Sequence, residues 1–450
     1  MALHLLLYLL PLFLLLYTTT NHLLNNLLHL PPTPFPTLPI IGHLYFFLNN
    51  PTLPSHRALS LLSRRRHSPT PLLLRLGSRP TLLVSTPSAA RQCLSLNDVV
   101  FANRPDLLNG KHFGYNFTSL AWAPYGPHWR NLLRLSSLSL LSAHKLSALS
   151  SVRAEEARTL ALKLMCGVGK EVDMKAVFFE HAYRVVAAMI LGRAEEAEAE
   201  GFREIVAEMA AATVEANVVD FVPFLGWFGF GGVEGKMRLV QEKRERFMEK
   251  FIGKHGGGCG GGERNLIGIL LDLQREETEY YTDEMIRNFL LVIIQGATHT
   301  TATTLEWAFS HLLANQHTIL AKARAEIDNL VGKSRLIDES DLPELPYLGC
   351  IINETLRMHP AAPLLTLHVS SDECRVDGFR VPRGTMLLVN AWEIHNNPET
   401  WRDPERFLPE RFEGGKNGFE FEFKFLPFLP RPKTGYGNGW GGVGVFDTMF

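Results

Sequence analysis

The sequence predicts a mainly α-helical fold with small β-sheets, an α+β class. Three observations carry that prediction. Between residues 88 and 330 apolar side chains recur at helical spacing, in amphipathic runs such as 151–165 and 195–213. A proline-free stretch runs from an N-cap at Thr282-Asp283 to about Asn315, which makes a helix on the order of 50 Å long. Two short apolar segments, 71–76 and 81–85, flank Gly77-Ser78 and read as a hairpin.

Composition bounds the function classes. Of 450 residues, 45 are Lys or Arg and 46 are Asp or Glu, a net charge of −1 with no basic stripe, so no nucleic-acid partner is expected. A hydrophobic content of 46% supplies a sizeable core and excludes disorder. The five cysteines (Cys93, Cys166, Cys259, Cys350, Cys374) are widely spaced with no CxxC, which argues against a disulfide framework or a zinc knuckle.

Charge is absent from residues 1–56, and the first 17 are almost wholly apolar, with Leu-rich character continuing to residue 30. No basic start and no small-residue cleavage site mark a removable signal, so residues 1–30 are expected to be a single retained membrane anchor. Seven arginines from Arg57 to Arg91 follow it with no acid among them, which places the rest of the chain in the cytosol. Residues 31–44 (beginning PPTPFPTLP) form a proline-rich hinge, stiff and extended. The glycine run at 255–263 contains a formal GxGxxG, but no strand precedes it, and it reads as a flexible linker.

Two motifs carry chemistry. In the middle of the long helix, residues 289–294 are apolar all round, which threads this segment through the core. Gln295-Gly296-Ala297-Thr298-His299-Thr300-Thr301 follows: small residues such as Ala297 let a flat group approach the backbone, and the hydroxyls offer polar hydrogens in a dry site. The alternative is a close helix crossing with Thr side chains bonded back to the preceding turn. Further on, Glu354 and Arg357 lie one turn apart on one helix face. That spacing also occurs at four other places, and what separates it is Met358-His359-Pro360 at the helix end and Pro409-Glu410-Arg411-Phe412 some fifty residues later.

With those motifs in order, the chain resembles a plant microsomal cytochrome P-450, a haem-thiolate monooxygenase, from the anchor to about Phe428. Phe101–Pro105 (FANRP), Trp129-Arg130, the threonine-bearing helix, Glu354–Arg357 and Pro409–Phe412 follow the family's order. Gly114-Tyr115-Asn116, Tyr125–Trp129 and Leu305–Ala308 are similar to the isoflavone-hydroxylase-like subgroup. The resemblance implies the cytochrome P-450 fold over residues 45–428, haem b, O2, electrons from NADPH through a membrane-bound reductase, and a small lipophilic substrate. It also implies the endoplasmic reticulum membrane as location. By the same resemblance Glu354, Arg357 and Arg411 form a buried ion triad, Thr300 assists oxygen activation, and Trp129 and His368 contact the cofactor's propionates.

Three departures stand against the pattern. The family's acid before the threonine is His299 here; imidazole also relays protons near neutral pH, so His299 is kept with Thr300 as a catalytic candidate. Four residues after Trp129 the family carries an Arg, but this chain has Leu133; Arg130 and Arg134 are the nearest cations, each about 100° away on the helical wheel. Last, the family continues past Phe428 with the loop whose Cys ligates the iron. Here Leu429-Pro430-Arg431-Pro432-Lys433-Thr434 and a glycine-rich tail occupy 429–450, and no cysteine follows Cys374. The axial thiolate drives O–O cleavage in this family, so the alternative expectation is a catalytically inactive, truncated or frame-shifted relative.

Overall fold

The computed structural model describes residues 2–50, 52–65, 70–139, 142–191, 195–228, 232–255, 266–414 and 419–429. Most of the glycine linker, with Cys259, and the tail from residue 430 onward lie outside the described residues. The expected class holds: helices dominate and two small sheets sit to one side.

Helix α1, Ala2–Leu27, occupies the expected anchor and contains Pro11. Among the described residues no helix is long and apolar enough to cross a membrane. The apolar run of α1 gives way after Tyr17 to Thr18-Thr19-Thr20-Asn21, and Asn25 Nδ2 donates to Thr33 Oγ1 at 2.9 Å, which fastens the polar end of α1 to the hinge. The hinge in turn docks on the body, because the Leu73 amide donates to the Pro32 carbonyl at 3.0 Å.

After α2 (Ser55–Arg65), β1 (Leu72–Leu76) and β2 (Arg79–Val84) form the predicted hairpin, with Leu72 opposite Leu83. Its turn needs Gly77: φ is +60°, and a Cβ there would stand 1.8 Å from the Phe221 carbonyl oxygen. Strands β3 (His368–Val369), β4 (Cys374–Val376), β5 (Phe379–Val381) and β6 (Met386–Val389) come late in the chain. The main sheet has the order β1-β2-β6-β3, with β2 and β6 parallel and Leu82 opposite Leu387; β4 and β5 pair separately.

The helical body comprises α3 (Pro127–Ser139), α4 (Ser150–Cys166), α5 (Met174–Leu191), α6 (Glu196–Phe221), α7 (Gly232–His255) and α8 (Leu266–Glu276). These gather around α9, Asp283–Ala314, whose 32 residues span about 48 Å. Thr282 caps α9 as predicted, its Oγ1 accepting from the Met285 amide at 3.2 Å. Phe289, Leu290, Leu291, Ile293 and Ile294 are buried to 1% exposure or less, so the middle of α9 threads the core with α5 laid along it. Helices α10 (Pro346–Met358), α11 (Ala391–Asn396) and α12 (Phe419–Lys424) complete the opposite side.

Candidate functional site

Helix α10 ends in a buried charge cluster. Burying ions is costly unless each is paired and hydrogen-bonded, and here every atom of the cluster is engaged. Arg357 Nε donates to Glu354 Oε2 at 2.7 Å and Nη2 to Oε1 at 2.9 Å. Its remaining donors reach the carbonyls of His395 at 2.7 Å and Pro404 at 2.8 Å. Arg411, in the turn Pro409–Phe412, donates through Nε to Glu354 Oε1 at 3.0 Å and through its other nitrogens to the carbonyls of Arg402, Asp403 and Arg406. The Leu408 amide adds a fourth donor to Glu354 at 2.9 Å. Glu354 and Arg357 are wholly buried. The structure thus brings Glu354, Arg357 and Arg411 into one hydrogen-bonded cluster.

A second cluster lies where the segment after β2 meets β3. Asn103 joins two elements at once: its side-chain Oδ1 accepts from the Tyr125 amide at 3.0 Å, and its carbonyl accepts from the Val369 amide at 2.9 Å. The next residue, Arg104, donates through one nitrogen to Thr366 Oγ1 at 2.9 Å and the Leu367 carbonyl at 2.8 Å, and approaches His368 Nε2 at 3.0 Å. Burial lowers Arg104 to about 10, and burial together with the Arg104 charge pushes His368 well below the usual imidazole value. The Phe101 carbonyl opposes that shift, yet His368 Nδ1 makes no hydrogen bond of proper geometry. Trp129 on α3 packs against the main core and lies 5.8 Å from the Tyr125 ring, so Asn103 links it to the His368 strand.

The other candidates are less gathered. Arg130 is exposed, bonded to the Gly126 carbonyl and set over the Tyr125 ring at 5.5 Å; Arg134 is exposed and bonded to Asn131. Neither joins Arg104 and His368. On α9, Ala297 is fully buried in the core, Thr300 Oγ1 donates back to the Gly296 carbonyl at 2.7 Å, and Thr301 Oγ1 to Ala297 at 2.5 Å. Thr298, also fully buried, has a hydroxyl with no partner. His299 is exposed; partial desolvation and then the Lys175 charge lower its pKa, against the pull of Glu306.

Sequence reasoning missed two residues. Arg104 had a signal, being the lone cation of the FANRP segment. His395 had none: its role depends on a contact with Leu426, 31 positions away.

The donor set tests whether haem would fit. Arg104 and His368 suit the acids of a porphyrin. The iron's thiolate is another matter. Cys93 is buried and pushed well above the ordinary thiol value by burial, then by Cys374 and Asp377. Burial raises Cys350 and, with Glu373 and Asp372, lifts Cys374 to about 11, while Cys166 is exposed on α4. None of these has the electropositive setting that stabilises a thiolate. Among the described residues no group of three or more His, Cys, Asp or Glu side chains could hold a metal ion. Among the described residues, Arg104 and His368 fit the ring's periphery and no cysteine fits a haem-thiolate iron.

Comparison with known proteins identifies the family. Residues 31–428 match the family described as cytochrome P-450. The chain is 42% identical over 421 residues to cytochrome P-450 81Q32 of Catharanthus roseus, covering 91% of this chain and 82% of that protein. It is 38% identical over 399 residues to an isoflavone 2'-hydroxylase of Glycyrrhiza echinata, covering 86% and 78%. Among solved structures it resembles a zebra fish cytochrome P-450 with progesterone, at a TM-score of 0.71 and 26% identity, over 84% of this chain and 86% of that one.

Proposed function

The chain belongs to the cytochrome P-450 family, and from that premise we propose that it descends from a membrane-anchored haem monooxygenase of the endoplasmic reticulum that hydroxylates a small lipophilic plant metabolite. Membership implies haem and reductase-supplied electrons. The isoflavone 2'-hydroxylase relative favours a flat aromatic substrate. The observation that carries the reading is the buried Glu354–Arg357–Arg411 cluster, kept complete alongside Arg104 and His368. Leu12, Phe13, Leu15 and Leu16 on α1 are exposed and support a membrane-associated amino terminus. Thr300 and His299 are the proton-handling candidates, and Trp129, Ala297 and His368 the cofactor contacts.

A specific observation favours a second reading: no cysteine follows Cys374, so the chain as it reads is an inactive relative. Descent and inactivity are compatible. The test pairs the full chain with a chimaera in which the residues after Phe428 are replaced by a relative's cysteine-bearing loop. Both are incubated in membranes with reductase, NADPH, O2 and a panel of isoflavones. Product one oxygen heavier from the chimaera alone supports both readings together. Product from the natural chain overturns the inactive reading, and none from either overturns the proposed substrate class. In the chimaera His299→Asp should raise product per NADPH, and Thr300→Ala should lower it.

A further inference from the structure

The buried cluster of α10 does not end at its three charged residues. His395, on α11, is fully buried and makes two ring contacts that point in opposite directions. Its Nε2 lies 2.7 Å from the Leu426 amide and its Nδ1 lies 3.1 Å from the Arg357 carbonyl. A backbone N–H is a fixed donor and a carbonyl a fixed acceptor. Nε2 must therefore be the bare nitrogen and Nδ1 must carry the proton, so this geometry selects one neutral tautomer. An imidazolium would set two N–H groups against each other at Leu426. The charged side chain facing the ring is Arg357, itself paired with Glu354; among the described residues Phe425, at 5.6 Å, and the Leu426 amide meet the ring from the α12 side.

We infer that His395 is a positioning residue: as a neutral Nδ1–H imidazole it ties the backbone at Leu426 to the Glu354–Arg357–Arg411 cluster and so fixes where the chain beyond Phe428 begins. The contact is between residues 31 positions apart, and around it Leu426 and Phe423 are buried against Cys93, Val389 and Ile394. The seat is thus built by this chain's own side chains, whatever follows residue 429. The inference goes beyond the functional reading and does not depend on haem, thiolate or turnover.

The test is hydrogen–deuterium exchange by mass spectrometry on the full-length chain in detergent, following peptides over 419–429 and 350–358. Replacing His395 by Asn keeps a donor near the Arg357 carbonyl but cannot reach Leu426; replacing it by Gln restores an acceptor at the Nε2 position. His395→Asn should speed exchange in 419–429 about tenfold or more, with 350–358 unchanged, and His395→Gln should recover most of the protection. Equal protection in the Asn variant and the natural chain, or no difference between Asn and Gln, overturns the inference. Should both variants unfold, the natural chain decides it. After correction for intrinsic rates, protection of 419–429 should hold level above about pH 6.5 and decline below it, because the seated ring stays neutral while a ring freed by opening takes up a proton. Protection of 419–429 that stays level down to about pH 5 overturns it.

Discussion

The Glu354–Arg357–Arg411 cluster is buried and the Arg104–His368 cluster half-buried; both are polar, yet they are finished to different degrees. In the first, the carboxylate and both guanidinium groups are matched to internal partners, and the neutral His395 extends the network to Leu426. In the second, His368 Nδ1 lies by the Phe101 carbonyl without a well-formed hydrogen bond, and elsewhere, on α9, the buried Thr298 hydroxyl has no partner among the described residues. A buried polar atom without a partner costs free energy. The first cluster is closed by the polypeptide alone, while the second leaves a buried polar atom unmatched by it.

Breaking the self-sufficient side should have the largest effect. Arg357→Met takes two of the four donors from the Glu354 carboxylate, leaves the His395 and Pro404 carbonyls unmatched, and should destabilise the fold by about 3–5 kcal/mol, measured by urea unfolding. Acid should act next, through the buried histidines. Burial, then the Arg357 charge, lowers His395 to about 3, and burial with His311, Arg57 and Arg357 does the same to His359. The unfolded chain takes up those protons near pH 6.5 and the folded chain does not. The stability they contribute is therefore complete above that pH and is lost as pH falls toward 3. At pH 5 His395 forfeits about 2 kcal/mol and the half-buried, better-screened His359 less, visible as a lower melting temperature.

The unfinished side should respond less. Arg104→Met leaves the Leu367 carbonyl and the His368 ring without their donor and should cost about 1–2 kcal/mol in the same unfolding experiment. Thr298→Val, nearly the same shape, removes an unpartnered hydroxyl and should stabilise the bare chain by roughly 1 kcal/mol. If Arg104→Met proved as damaging as Arg357→Met, or Thr298→Val lowered stability, the contrast between the two sides would fail.

Legibility in the sequence follows the range of the interactions. The α9 cap at Thr282, the Gly77-Ser78 hairpin turn and the run of Phe289–Ile294 are local, and each lies where spacing predicts. The triad was legible only because Glu354, Arg357 and Arg411 sit in a known order of motifs; ExxR spacing alone does not distinguish them. The parallel pairing of β2 with β6 was not legible, since Leu82 and Leu387 are 305 positions apart and no local pattern encodes their register. His395 was hidden for the same reason. Arg130 and Arg134 looked eligible because they flank Leu133, but the helical wheel turns both to solvent, and the cation that reaches His368 comes from the FANRP segment.

The proposal that the family scaffold is kept while the thiolate donor is not meets its sharpest trial in a reduced, carbon-monoxide difference spectrum of the full-length chain in membranes supplied with haem. No Soret band is expected at the thiolate position, because no cysteine follows Cys374 in this sequence and neither Cys93 nor Cys374 is set up to ionise. A band at that position would mean that one of this chain's cysteines reaches the iron, and would contradict the claim.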